Sequence, residues 1–461
     1  MFHARHPRLA AAAAATAVVL TLTAACSSGS DDTSDDAATG GSTAGTPSGD
    51  ILVLTNRTDL VDSKLKEYAA TFEQKYPEVT VKFEALTDYE GEVKTRMSTK
   101  DYGDVLLIPN SVSAADYKDF FEPLGKTDEL AQKYHFTGEA AFDGITYGMA
   151  TFGNANGMVY NKDVFTKAGI TDLPTTPEQL ISDLQAVKDK TDAIPFYTNY
   201  KDGWPLTWPQ NLMGAVSGDK DAGVKMAADD APWTSGKEKY TLDSLLYDIA
   251  KAGLIEPDPT TTNWESSKNL IGTGKVAVMA LGSWAVPQMQ DAATKAGGSA
   301  DSIGFMPAPF QVDGKFTSPI AGDYKNAINI NSKHKAAARA WIDWFTADSG
   351  FYDFAGGLPT VIGQPAPATL KDFEATGVQY LEMTPEPKLT LIDNQAEIGL
   401  SQPDYYRQLV DSARGALKQS KDQIFEGLNK KWAAAHFLFR PSKIWSLLCL
   451  SAPRAESTSW R

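Results

Sequence analysis

From Asp50 onward the chain alternates in a way that leaves few folds open. Ile51-Leu52-Val53-Leu54 is an apolar run of strand length. Leu65, Tyr68, Ala69, Phe72 and Tyr76 then recur at helical spacing, and Pro77 ends that helix. Val79, Val81 and Phe83 alternate with Thr80 and Lys82, the mark of a strand, and Val105 to Ile108 is another apolar strand. Strand, helix, strand, helix, strand predicts an α/β layer on a mostly parallel sheet.

The middle of the chain is richer in helix. Thr176-Pro177-Glu178-Gln179 is a helix start, with Thr as N-cap, Pro in the first turn and Gln three residues past the cap. Leu242, Leu245, Leu246 and Ile249 form one face of a helix that ends before Gly253. Val276 to Leu281 and Ile328 to Ile330 read as buried strands. Ser332 is expected to cap an Ala-rich helix carrying Trp341, Ile342 and Phe345, and a last helical region is expected from about Tyr405 to Trp432. No internal repeat is visible.

Ahead of the folded part, Leu9 to Ala25 is an unbroken run of 17 apolar and small residues preceded by Arg5 and Arg8. It falls short of the roughly 20 residues that span a bilayer as a helix. A basic start, a short apolar core and small residues before a cut describe a secretory signal over residues 1–25. Cys26 directly after Ala25 looks like a bacterial lipobox, in which the Cys carries lipid and becomes the mature N-terminus. Residues 26–49 hold Ser, Gly, Thr, Ala and Asp without a large apolar side chain, a disordered tether. These features imply a protein anchored by its end at the extracellular face of the membrane of a Gram-positive type of cell.

Charge and scarce residue types narrow the chemistry. The formal charge is −15, and losing Arg5 and Arg8 leaves 41 basic against 58 acidic residues, or −17. Such a surface repels phosphates, so no nucleic-acid partner is expected. With Cys26 lipidated, Cys449 has no partner and no intrachain disulfide is expected. Past residue 25 the histidines are His135, His334 and His436, too few for a His/Cys zinc site and without a nucleophile motif nearby. No metal or cofactor is implied. Residues 436–461 are basic, broken by Pro441 and Pro453 and aperiodic. They read either as a non-native, frame-shifted extension or as an extra docking segment.

Five groups of residues, in order, resemble the family 1 extracellular solute-binding proteins, the maltose-binding-protein-like group that feeds sugar ABC importers. They are Gly103-Asp104-Val105-Leu106; Tyr147 to Ala150 followed by Met158 to Phe165 and Ala168 to Ile170; Gly274 to Met279 with Gly282-Ser283-Trp284; Gly304 to Pro307 followed by Ile328 to Ile330 and Ala337 to Phe345; and Gly356 to Thr360. Tyr160-Asn161-Lys162-Asp163 is the best single marker. The resemblance spans about residues 50–435. It implies a periplasmic-binding-protein-like fold: two α/β lobes, 50–151 with 308–356 and 152–307 with 357–435, around a ligand cleft. The hinge crossings would lie near Ala150–Asn154, Pro307–Phe310 and Leu358–Thr360. It also implies a monomer that is not an enzyme, closes on a sugar or oligosaccharide, and delivers it to ABC permease subunits in the membrane.

A sugar has hydroxyls at its rim and C–H groups on its faces, so its site needs aromatic platforms and planar polar side chains. By resemblance, Trp284 and Trp204 are the stacking aromatics, Asp202 an acidic contact and Asn154 a polar contact at the first crossing. Trp208 is a further candidate; core packing is the alternative for each Trp. Strand ends supply the polar candidates, since open α/β sheets place ligand groups there: Asn56, Arg57 and Asp59 after the first strand, Asp104 and Asn110 around the Val105–Ile108 strand, and Asp323 and Tyr324 before Ile328. Tyr89 is also a candidate. Helix capping for Asn56, a surface charge for Arg57 and turn geometry for Asp104 are the competing roles. A polyamine, peptide or metal complex on the same scaffold, a receptor that signals without transport, and a secreted glycosidase with two carboxylates across the bond are the rival functions.

Overall fold

The structure is a computed structural model that describes residues 45–438. Two α/β layers are built on separate sheets. The first sheet has the order β2-β1-β3-β14-β7, with β1 Gly49–Thr55, β2 Val79–Ala85, β3 Val105–Leu107, β7 Met149–Ala150 and β14 Lys325–Ile328. β1 runs parallel to β2 and β3, and β14 is antiparallel to β3 and β7. The alternation seen in the sequence sorts the side chains onto the two faces. Ile51, Val53, Val79, Val81 and Phe83 pack on one side against the helices Lys64–Lys75 and Lys335–Ala347. Leu54 and Leu106 pack on the other side with Tyr89, Val93 and Tyr117. The first face is aromatic: Trp341 stacks on Phe345 at 5.1 Å and meets Phe72 edge-on at 5.2 Å.

The second sheet follows the path β12-β13-β8-β10-β9, with β8 Gly153–Asn161, β9 Ile194–Phe196, β10 Val276–Gly282, β12 Gln311–Val312 and β13 Lys315–Gly322. β11 Ile303–Met306 also pairs with β8, and β15 Gln379–Glu382 pairs with β13. Gly125–Lys126, Ala141–Phe142 and Ile145–Thr146 (β4, β5 and β6) form a small third sheet. The helix Pro177–Lys190 starts as expected, with the Thr176 side chain accepting from the Gln179 N–H. The helix Glu238–Lys251 holds a fully buried ion pair, Lys239 Nζ to Asp243 Oδ1 at 2.9 Å. Tyr406 and Trp233 complete its hydrogen bonds and tie it to the helix Pro403–Ala413. Burial pushes the Lys239 ammonium pKa down, with Asp243 opposing the shift.

The chain passes between the sheets at Thr151–Phe152, after β7 and before β8, and again at Asp323–Tyr324, between β13 and β14. These passages lie side by side. The Asp323 N–H donates to the Phe152 carbonyl at 2.8 Å, and the Thr151 N–H donates to the Tyr324 carbonyl at 3.0 Å. A third segment joins them where Leu358 and Gly153 exchange both backbone hydrogen bonds, at 2.6 and 2.7 Å. A Cβ on Gly357 would collide with the Phe152 ring, so only glycine allows this approach.

Several expectations need correction. β13 belongs to the second sheet, so the expected first-lobe segment 308–356 begins too early. The chain returns at Asp323–Tyr324 rather than at Pro307–Phe310, because Ile320 to Gly322 pair with Gly153 to Ala155. The Ala-rich helix starts at Lys335, after His334; Ser332 instead accepts from the His334 N–H and donates to Asp104. The last helical region is three helices, Pro387–Ala396, Pro403–Ala413 and Lys421–Leu438. The third runs through the expected break at 435/436, because His436 is buried against Asp230 at 2.5 Å. β1 begins at Gly49, paired with Val79, at the last residue assigned to the tether. The signal segment 1–25, Cys26 and residues 439–461 lie outside the described residues.

Candidate binding cleft

A cavity of about 480 Å³ opens where the first and second sheets face each other across the paired crossings. One wall comes from the first layer: Thr55, Asn56 and Arg57 at the end of β1, then Asp323, Tyr324 and Asn326 at the second crossing. Its deep end is aromatic and aliphatic, with Leu65, Phe83, Trp341, Phe345 and Phe351. The opposite wall is Trp204, Trp284 and Gln288 from the second layer.

The two tryptophans belong to a cluster of three. Trp204 lies 5.7 Å from Trp284 and 5.0 Å from Trp264, and Trp264 lies 5.5 Å from Trp284. Trp204 is 41% exposed, high for so large an apolar side chain. Its loop is held from below. Buried Glu256 accepts from the Thr198 N–H at 2.7 Å and from the Thr198 hydroxyl at 2.5 Å. Arg407 donates to the Tyr200 carbonyl at 3.0 Å and to the Lys201 carbonyl at 2.6 Å. Gly203 turns the chain at φ 82°, a conformation that favours glycine. Asp202 accepts from the Trp264 N–H and so joins two members of the cluster.

Several polar groups of the first wall already have partners. Arg57 makes a two-pronged pair with Asp59, at 2.8 and 2.7 Å. This hydrogen bonding holds the Asp59 carboxyl below the usual carboxylate range. Thr151 donates to the Tyr324 carbonyl at 2.8 Å and accepts from Asn326 at 3.1 Å. The Tyr324 hydroxyl donates to Glu90 at 3.1 Å. Asp323 is the electrostatic outlier. Desolvation pushes its pKa up, opposed by the Tyr324 backbone N–H, Lys325, Arg57 and the Asn154 amide.

Past the tryptophans lies a second cavity of about 390 Å³, which shares Trp204 and Trp284 with the first. Its walls come from the second layer: Asn154, Asn156 and Gly157 of β8, Leu281 and Gly282 of β10, Pro319 to Ala321 of β13, Trp208 and Gln210 to Met213, and Met383, Thr384, Glu386 and Leu389.

A family model described as bacterial extracellular solute-binding protein matches residues 57–350. This chain belongs to that family. A multiple sugar-binding protein of Streptococcus mutans is 25% identical over 323 residues, covering 67% of this chain and 74% of its own. Two solved structures from Bifidobacterium animalis subsp. lactis each cover 85% of this chain and 95% of their own. One is the binding protein of an ABC transporter in complex with mannobiose, at 34% identity and a TM-score of 0.77. The other is a manno-oligosaccharide-specific solute-binding protein in complex with mannotriose, at 33% and 0.78. The fold is the two-lobed α/β architecture of this group, and the protein is an extracytoplasmic binder rather than an enzyme.

In this solute-binding protein the expected site residues divide. Asn56, Arg57, Asp323, Tyr324, Trp204 and Trp284 line the first cavity. Asn154 and Trp208 line the second. Trp208 is a buried wall, 3% exposed, against Phe196. Five residues line neither cavity, each because a nearer partner takes its polar group. Tyr89 is buried, and its hydroxyl bonds both to the Leu107 carbonyl and to the Leu107 N–H. Asp104 accepts from the Leu52 N–H and the Ser332 hydroxyl. Asn110 is exposed and bound to Glu90, Asp59 is held by Arg57, and Asp202 by the Trp264 N–H. Sequence reasoning missed Gln288, Asn326, Asn156 and Gln210 among the lining residues. Only Gln210 carried a signal, as a polar residue directly after the Trp-rich turn Trp204 to Pro209.

Proposed function

We propose that this protein captures a sugar or oligosaccharide in the cleft by closure of its lobes and delivers it to the permease of an ABC importer. The carrying observation is the facing of Trp204 and Trp284 from one layer toward Asn56, Arg57 and Asp323 from the other. Indole faces suit the C–H faces of a pyranose, and the planar amide, guanidinium and carboxyl suit paired hydroxyls. A ligand touching both layers stabilises the closed arrangement by its differential contacts, with the crossings at Thr151–Phe152 and Asp323–Tyr324 as hinge. The two Bifidobacterium relatives, which bind mannobiose and mannotriose, make manno-oligosaccharides the first probes. The protein acts as a monomer. It is held at the outer face of the membrane by lipid on Cys26 and by the polar tether that follows.

Calorimetry with manno-, malto-, cello- and raffinose-type saccharides, after mass spectrometry of any co-purified ligand, tests the ligand class. Binding of at least one saccharide is expected. Binding of spermidine or a peptide with no saccharide response overturns the reading. Cys26→Ala is expected to move the protein from the membrane fraction to the medium; retention in the membrane fraction overturns the anchor.

A further inference from the structure

Phe136 is the only aromatic residue, among the described residues, on a left-handed backbone, at φ 65°. A bulky side chain there is an outlier that its surroundings must hold in place. The flanking residues belong to the first layer: Tyr134 packs with Ile51 and Val53, and Ala140 with Leu54 and Leu106. The Phe136 ring instead packs in the core of the second layer, with Ala155, Val159 and Ile320. Two glycines make room for it, since a Cβ on Gly153 or Gly322 would press on Phe136. Successive side chains of an extended strand point to opposite faces. Phe152 and Asn154 line the cavities on either side of Gly153, as Ala321 and Asp323 do on either side of Gly322. Phe136 therefore sits behind the crossings, on the face turned away from both cavities. The second layer grips it there. Glu382 of β15 accepts from the Phe136 N–H at 2.8 Å, and its other oxygen lies 2.8 Å from His135 Nδ1. From the first layer, Glu139 accepts from the Gly322 N–H at 2.9 Å and pairs with Lys325 at 2.6 Å.

Lobes that turn about the crossings narrow the space behind them as the cleft widens in front. That space is filled by the Phe136 ring, and close-packed groups resist compression. We infer that Phe136, gripped by Glu382, is a stop behind the hinge that limits how far the ligand-free cleft opens. In the setting it holds, Trp284 of the second layer reaches the aromatic core of the first. A ligand then meets a cleft with both walls near, and its apparent affinity is not reduced by a large open population. The stop rests on closure of the lobes on a ligand, not on which ligand closes them.

Small-angle X-ray scattering of the ligand-free full protein reads the opening with no ligand present. Phe136→Leu keeps an apolar group in the second core with a shorter reach. Glu382→Ala releases the grip at a half-exposed side chain, outside that core. Both are expected to give a larger radius of gyration than the wild type, and both should return to the wild-type radius when saturated with mannotriose. Mannotriose affinity in Glu382→Ala is expected to fall about fivefold, as the fraction of molecules with both walls in place falls. His135→Ala removes one of the two groups held by Glu382 and should give a smaller shift in radius. A ligand-free radius that is unchanged or smaller in both Phe136→Leu and Glu382→Ala overturns the stop and leaves the carbohydrate reading standing. A widened ligand-free form with no response to mannotriose or to the malto- and cello-series sustains the stop and overturns the carbohydrate reading.

Discussion

The two cavities meet at the same pair of tryptophans and are built on opposite principles. The first spans both layers, so its shape depends on how the lobes are set, and Arg57, Tyr324 and Thr151 on its wall are already paired with Asp59, Glu90 and the hinge backbone. The second is walled by one layer, and three of its lining residues, Asn154, Trp208 and Gln210, each hold a polar atom that is closed off from solvent and has no hydrogen-bond partner. Pre-paired groups must exchange one hydrogen bond for another and gain little net free energy, whereas a buried unpaired group costs about 1–3 kcal/mol. The first cavity is therefore the one whose lining changes with the setting of the lobes.

Trp204 serves both cavities, so its loss should be the largest single effect. Trp204→Ala is expected to weaken saccharide binding by about 2–3 kcal/mol, roughly 30–150-fold. With so much of the ring already exposed, calorimetry paired with thermal melting should show the ligand-free melting temperature nearly unchanged. Trp284→Ala should weaken binding similarly and also lower that temperature, because Trp284 packs against the aromatic cores of both layers. Equal losses of stability in the two variants would erase the distinction between platform and core.

Asp323 tests the first cavity alone. Its folded-state pKa is raised by desolvation. The folded protein therefore holds that proton more tightly than the unfolded chain, and the group's contribution to stability falls as pH rises through the folded pKa. Asp323→Asn should accordingly raise the melting temperature at neutral pH and flatten its acid dependence. It should also cost about tenfold in affinity through loss of a charged acceptor, roughly 1.5 kcal/mol. In the wild type, binding should weaken on acidification at pH values where an ordinary aspartate, near 3.9, stays ionised. A pH-independent affinity would remove Asp323 from the site.

Much of this division was invisible in the sequence for a definable reason. Strand identity is written in alternation, so Val79, Val81 and Phe83 were legible, and the Thr176 cap was legible from local spacing. Strand ends were legible too, and they bring Asn56, Arg57 and Asp323 to the cleft. Whether a strand-end side chain faces ligand or backbone depends on partners distant in sequence: Asp104 meets Ser332, and Asn110 meets Glu90. The second crossing was misplaced because β13, which carries Pro319, pairs with β8 through residues more than 160 positions apart. The second cavity is lined from six separate stretches of the chain, so no local pattern announces it.

Arg407 offers a smaller test that reaches both cavities indirectly, since it holds the Trp204 loop through two carbonyls and the Tyr200 ring. Arg407→Ala should loosen the platform and weaken binding by about 1 kcal/mol, near fivefold. Arg407→Lys should restore part of that, because one charged donor still reaches the loop. A change in Trp fluorescence of the ligand-free protein would separate a displaced platform from a general loss of stability.

The smallest effect on binding should come from Tyr89, which the sequence places near the cleft and the structure places beneath it. Its hydroxyl donates to the Leu107 carbonyl at 3.1 Å and accepts from the Leu107 N–H at 2.7 Å. Burial pushes the phenol pKa up, so it stays neutral and keeps both bonds across the ordinary pH range. Tyr89→Phe removes both and leaves two backbone groups unmet in the core, at a cost of about 1–3 kcal/mol of stability. Denaturant unfolding should register that loss, while saccharide affinity stays within about twofold, under 0.5 kcal/mol. A larger fall in affinity than in stability would mean that β3 transmits strain to the first cavity through Leu107, which lines it. The first cavity would then depend on the packing beneath it as strongly as on the lobe facing it.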